Sequence, residues 1–194
     1  MKVGIDLDNT IINYTGVFYH AALEKGFIPV ETGESKVAVK EYLCSQGQED
    51  LWTKLQGYVY GARLELASVY KGFFSCLKMF KDNKIDYCII SHKTKKPFKG
   101  PRYDLHAQAS QWIKSQLVPH IGDIEYTFCE TIEEKLATIE SKACDYFIDD
   151  LVMVLNHTGF PTQVSPLLFN GLIDYDGERF TEWREIEEFF KRKQ

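Results

Sequence analysis

A chain of 194 residues, 44% hydrophobic and 26% charged, suits one soluble globular domain or one domain with a sizeable insertion, and its formal net charge of −5 gives no global attraction to nucleic acid or acidic membranes. No apolar run approaches membrane-spanning length, and Asp6 and Asp8 interrupt what would otherwise be a signal peptide's apolar stretch. Five cysteines with no CxxC spacing read as small buried hydrophobes rather than a disulfide framework or a zinc site, which predicts a reduced, cytoplasmic protein.

The chain opens MKVGIDLDNTII, where Val3, Ile5 and Leu7 are strand formers interleaved with Asp6 and Asp8. Next, GVFYHAALEKG has helical spacing at Val17, Ala21 and Ala22, with Gly26 as its stop. Residues 30–67 read as mostly helical but broken at Gly47, Gly57 and Gly61. GFFSCLKMFKDN predicts a helix, IDYCII a strand, SHKTKKPFKGPRYD a basic loop and LHAQASQWIKSQL another helix. IEYTFC and CDYFI read as strands on either side of a helix over TIEEKLATIESK. Near the end PLLF reads as a strand, and TEWREIEEFFK as an amphipathic helix with Trp183, Ile186, Phe189 and Phe190 on one face. Strands separated by helices of this length predict βαβ units in an open, mainly parallel, doubly wound α/β sheet. Ligands of such sheets bind beyond the carboxyl ends of the strands.

Three of the predicted strands end in chemistry. The first runs into Asp6-Leu7-Asp8-Asn9-Thr10, IDYCII runs into Ser91, and CDYFI runs into Asp149-Asp150. Singly, each has a plain reading as a solvated turn or a helix cap. Together at one sheet edge, four carboxylates make a pocket that persists only around a hard cation, and oxygen ligands of this kind suit Mg2+. A lysine completes the set. Thr131 and Glu134 form a capping box that fixes a helix start, so Lys135 lies in the first turn, nearest that edge. Lys142 lies seven residues on, about 10 Å further along the axis at 1.5 Å per residue.

The ordered set DLDNT, hydrophobic-Ser, Lys and FIDD resembles the haloacid dehalogenase-like (HAD) superfamily of phosphohydrolases, over roughly residues 1–25 and 70–180. That resemblance implies a Rossmann-like core, Mg2+ and an aspartyl-phosphate mechanism. Asp6 would be the nucleophile, and Asp8 the acid that protonates the leaving alcohol and then the base that activates water. Metal would be held by the Asp6 carboxylate, the Asp8 backbone carbonyl and Asp150, with Asp149 adjoining. Ser91 and Lys135 would hold phosphoryl oxygens and Thr10 would support the loop; His92 and Lys93, directly after Ser91, are further candidates for binding the phosphate.

The domain reading is an α/β core over 1–27 and 70–194 with a small helical cap over 28–69, longer than a simple α/β connection needs. Within it, Trp52, Lys54, Tyr58, Tyr60 and Arg63 either contact substrate or pack the insertion. The loop after Ser91 carries Lys93, Lys95, Lys96, Lys99 and Arg102, which either solvate the surface or attract an anionic substrate. The expected activity is Mg2+-dependent hydrolysis of a small phosphorylated metabolite, such as a nucleotide or sugar phosphate. Alternatives are a phosphomutase or phosphotransferase with the same intermediate, and a non-catalytic phospho-acceptor switch of receiver type. The order of motifs opposes the switch, because receivers place their paired acids after the first strand, whereas here the pair comes last.

Overall fold

Val3 and Ile5 are fully buried in the opening strand β1 (Lys2–Ile5), which ends one residue before Asp6. The computed structural model describes residues 1–169 and 174–193. After β1 come the short strand β2 (Ile12–Asn13), helices α1 (Val17–Glu24), α2 (Lys36–Ser45) and α3 (Glu49–Ala62), and strand β3 (Ser68–Val69). Helix α4 (Phe73–Asp82), strand β4 (Asp86–His92), helices α5 (Leu105–Gln116) and α6 (Val118–Ile121), strand β5 (Tyr126–Cys129) and helix α7 (Ile132–Ser141) follow. The remaining elements are β6 (Tyr146–Asp149), α8 (Val152–Leu155), β7 (Ser165–Leu168), β8 (Glu178–Arg179) and α9 (Trp183–Lys191). The short elements β2, β3, α6, α8 and β8 were absent from the sequence-based expectation, because two to four residues leave no periodic signal.

Six strands form one parallel sheet in the order β5-β4-β1-β6-β7-β8. The chain leaves β1 toward β4 and β5, then crosses back to lay β6 on the other side of β1. That reversal is the switch point of an open α/β sheet, and it puts the carboxyl end of β1 where ligand sites form. Val3, Ile5, Ile89, Ile90, Phe147 and Ile148 are all fully buried. Such strands are covered on both faces, which explains their nearly continuous apolar runs. Each of these side chains contributes about 1.5–3 kcal/mol of burial free energy. On α9, the predicted face of Trp183, Ile186, Phe189 and Phe190 is buried, with Trp183 edge-on to Phe73 and Phe190 edge-on to Phe80 of α4.

The chain forms two compact units, Met1–Ile12, Val69–Lys93 and Leu117–Gln194 in one, and Asn13–Ser68 and Thr94–Gln116 in the other. The expected insertion over 28–69 falls largely within the second unit, which also takes in α1, the basic loop and α5. Packing explains why the loop sits there. Gly57 and Gly61 do not break α3, as their sequence context predicts; they thin one face of it. A β-carbon at Gly57 would lie 2.7 Å from Pro97, and one at Gly61 would lie 2.3 Å from the Tyr103 ring. The loop is seated on those two bare positions, with Lys99 paired to Asp50 and the Trp112 indole N–H donating to the Ala67 carbonyl at 3.1 Å. Gly47, between α2 and α3 at φ +66°, is a true break.

Candidate active site

The site is built within the first unit from the loop after β1, the ends of β4 and β6, and the first turn of α7. The Asp6 N–H donates to the Ile148 carbonyl at 2.9 Å, so the backbone holds Asp6 against β6 although its strand has ended. The following turn closes tightly, with Ile11 and Ile12 N–H both donating to the Leu7 carbonyl, at 3.0 and 2.9 Å. Asn9 takes the left-handed conformation at φ +59° that this reversal needs, a region where asparagine is enriched among non-glycine residues. The Trp183 indole N–H donates to the Thr10 carbonyl at 2.9 Å and ties the turn to α9.

Carboxylate oxygens of Asp6, Asp149 and Asp150 lie within 4.8 Å of one another. Lys135 is buried among them, its ammonium donating to Asp6 Oδ1 and Asp149 Oδ2, both at 2.6 Å. Lys142 lies on the surface and pairs with Glu125. The Thr131 hydroxyl accepts from the Glu134 N–H at 3.1 Å, as the capping box requires. The reciprocal half is shifted by one residue, because the Glu134 carboxylate takes the Glu130 N–H at 2.8 Å. Asp149 is engaged at both oxygens, since Oδ1 accepts from the Leu151 N–H at 2.9 Å.

Burial pushes the Asp6 carboxyl well above the usual carboxylate range; Lys135 pulls it back, and Asp149, Asp150 and Asp8 push it up again. For Lys135, burial disfavours the ammonium, but Asp6 and Asp149 more than offset this and leave its pKa raised. One ammonium among three close carboxylates leaves negative charge uncompensated, and a hard divalent cation with oxygen ligands is the group that relieves it. Two orphan hydroxyls fit the same chemistry. Ser91 Oγ and Thr10 Oγ1 are buried with no hydrogen-bond partner among the described residues. Such a group costs about 1–3 kcal/mol unless a ligand satisfies it. The donor set therefore fits Mg2+ beside a phosphoryl group.

Ser91 lies inside β4, one residue further along the strand than the sequence pattern places its end. Alternation puts Lys93 on the same side as Ser91 and turns His92 to the other, where its exposed ring meets the Glu130 carbonyl at 3.2 Å. Lys93 is buried and paired to Asp8 Oδ2 at 2.5 Å, a contact that sequence reasoning missed. The signal available was the two-residue spacing from Ser91. In the second unit, the Tyr58 hydroxyl and the Arg63 guanidinium both donate to Glu24, at 2.7 Å and as close as 2.5 Å. Trp52 and Tyr60 pack on Phe18 at ring-centroid distances of 5.4 and 5.8 Å. The Gly100 backbone comes near the Lys54 stem. In the first unit, a cleft of about 470 Å³ lined in part by Lys2, Lys84 and Glu125 lies at the amino ends of β1 and β4, the opposite edge of the sheet from Asp6 and Ser91.

The parallel sheet order, the helical insertion between β1 and β4 and the acidic cluster at the switch point define a HAD-like α/β fold. Solved structures agree over the full length of the chain. A protein described as a predicted phosphatase, from Clostridium acetobutylicum, superposes with a TM-score of 0.65 at 15% identity, covering 98% of each chain. A HAD-superfamily hydrolase from Ehrlichia chaffeensis gives 0.62 at 15% identity, over 98% of this chain and 96% of that one. A HAD family hydrolase from Deinococcus radiodurans, with bound phosphate and sodium, gives 0.59 at 12% identity, over 98% and 95%. No protein-family model matches the sequence, and no curated protein does. Among the described residues, no helix is long and apolar enough to cross a membrane.

Proposed function

We propose that the chain is a Mg2+-dependent phosphatase that hydrolyses a small phosphorylated metabolite, such as a nucleotide or sugar phosphate, through a phosphoryl group carried on Asp6. The observation that carries this reading is the buried Asp6 carboxylate, gathered with Asp149 and Asp150 and held by Lys135 at 2.6 Å. Asp6, Asp150 and the Asp8 backbone carbonyl would hold the metal, with Asp149 adjoining and orienting Lys135. A divalent cation held there would supply neutralisation of charge on the phosphoryl oxygens.

The Asp6 carboxylate attacks phosphorus and forms an acyl-phosphate bond as the bond to the leaving oxygen breaks, and Asp8 protonates that oxygen. Water then attacks phosphorus and gives its proton to Asp8. The bond to Asp6 breaks, releasing inorganic phosphate and restoring the carboxylate. Ser91 and Lys135 hold the equatorial oxygens, where positioning and charge neutralisation supply most of the catalysis. Thr10 supports the turn that carries Asp8.

The test is phosphate release from a panel of phosphorylated metabolites, with Mg2+ and with chelator. We expect turnover with Mg2+ and its loss in a folded Asp6→Asn variant, by about three orders of magnitude or more. Near-wild-type turnover in that variant, or no hydrolysis of any phosphomonoester with Mg2+ present, overturns the reading.

A further inference from the structure

The pairing of β4 with β5 runs past Ser91, and the Lys93 N–H donates to the Cys129 carbonyl at 2.8 Å. The backbone of Lys93 is thus part of the sheet, and its side chain projects on the Ser91 side of the strand. That side chain is 4% exposed, and its ammonium donates to Asp8 Oδ2 at 2.5 Å; the Asp8 side chain is 19% exposed. Withdrawing an ammonium from water costs several kcal/mol, much of which its ion pairing must repay, so an apolar side chain would serve packing at least as well. What the lysine adds is direction. The Asp8 backbone is fixed by its bridge to Ile12, but its carboxylate still rotates about two torsions, and Lys93 pins one oxygen.

We propose that Lys93 is the positioning residue for Asp8. It holds Oδ2 and so fixes the orientation in which the Asp8 carboxyl exchanges a proton with the leaving oxygen and then with water. Lys93 itself touches neither reacting atom and gains or loses no proton. This inference rests on the phosphatase reading above and adds a residue to it.

The consequence depends on the leaving group. An alkyl phosphate leaves as an alkoxide unless it is protonated, whereas p-nitrophenolate leaves without help. Misplacing a catalytic group by about 1 Å costs about 10²-fold, and general acid catalysis contributes about 10²–10⁴-fold. Wild type, Lys93→Met, Lys93→Gln and Lys93→Arg are compared on ethyl phosphate and on p-nitrophenyl phosphate, with Mg2+ saturating. In Lys93→Met, kcat on ethyl phosphate is expected to fall by about 10- to 100-fold. The fall on p-nitrophenyl phosphate is expected to be about tenfold smaller, with little change in KM, and Lys93→Arg to recover most of the loss. In an Asp8→Asn background, Lys93→Met is expected to cost nothing further on ethyl phosphate. Lys93→Gln, which keeps a donor and most of the volume, carries the comparison if Lys93→Met does not fold. Equal losses on both substrates, a loss confined to KM, or additive losses with Asp8→Asn overturn the inference and leave the phosphatase intact. A wild-type protein that hydrolyses neither substrate overturns both.

Discussion

Replacing Lys135 by methionine keeps an unbranched side chain of similar length but removes the ammonium that bonds Asp6 and Asp149 at 2.6 Å. Lys135 is 1% exposed and Asp149 is fully buried, so water cannot take the place of the lost partner. Breaking a buried pair in this way costs about 3–5 kcal/mol, most of it the penalty of the charge left behind. The pH dependence follows from the two shifts. Lys135 has a raised pKa, so its contribution is complete below the unfolded lysine value of about 10.4 and is lost only above it. Asp6 is raised by burial, and Lys135 is the neighbour that pulls it down. Without Lys135, Asp6 destabilises the fold increasingly as pH rises from its unfolded value of about 3.9 toward its folded one. The deficit is therefore expected to be about 3–5 kcal/mol at about pH 7.5 with chelator, and to shrink markedly by about pH 5. Hydrogen exchange at β1 and β6 under increasing urea reads the deficit at the strands that flank the site. A deficit under about 1 kcal/mol, or one equal at both pH values, would refute the electrostatic account of this lysine.

Mg2+ at about 100 times its dissociation constant is expected to stabilise the first unit by about 2.7 kcal/mol, and Asp150→Ala to abolish the shift; equal melting temperatures with Mg2+ and with chelator would count against a metal site. Trp183→Phe leaves the Thr10 carbonyl without its indole donor and is expected to cost at least about 1–3 kcal/mol together with a lower kcat, read by urea unfolding and turnover. In the second unit, hydrogen bonds from Arg63 and then Tyr58 hold Glu24 at about 2, so this knot stabilises the fold above the ordinary glutamate value of 4.5 and is lost as pH falls through 2. Glu24→Gln is therefore expected to flatten the acid dependence of α1 and α3 amide exchange across that window; an unchanged profile would show that the knot carries none of it. Neutralising the exposed Lys95, Lys96 and Arg102 is expected to lower kcat/KM at low salt and to lose that effect once the Debye length falls well below about 8 Å; parallel salt curves would make these charges a solvated surface only.

The parts of the fold visible in the sequence are those with strong periodicity or strong chemistry. The apolar runs of β1, β4 and β6 mark buried parallel strands, and the four-residue face of α9 marks a helix docked on a core. Asp6, Asp149, Asp150 and Lys135, which lie together, were legible because strand ends and a helix start can both be located from sequence. The extent of the second unit was not legible. Gly57 and Gly61 carry the same one-letter signal whether they break a helix or bare its side for Pro97 and Tyr103, and only the partner's position decides. His92 and Lys93 are alike in sequence as polar neighbours of Ser91, yet strand alternation separates them, leaving one exposed and the other buried.

The two buried lysines divide the charge of the site between two tasks. Four carboxylates, on Asp6, Asp8, Asp149 and Asp150, face two ammonium groups, on Lys93 and Lys135. With both groups ionised the Lys93–Asp8 pair is formally neutral, so Asp8 adds little to the field at Asp6, Asp149 and Asp150. The residual charge of −2 rests with Asp6, Asp149 and Asp150 around Lys135, and one divalent cation cancels it. In the phosphatase proposed above, a phosphate group would then meet a less repulsive cluster. Were Lys93 absent, an ionised Asp8 would add its charge to that cluster. On the proposed reading, the same lysine would aim Asp8 and let it stand beside Asp6 without raising the charge of the site.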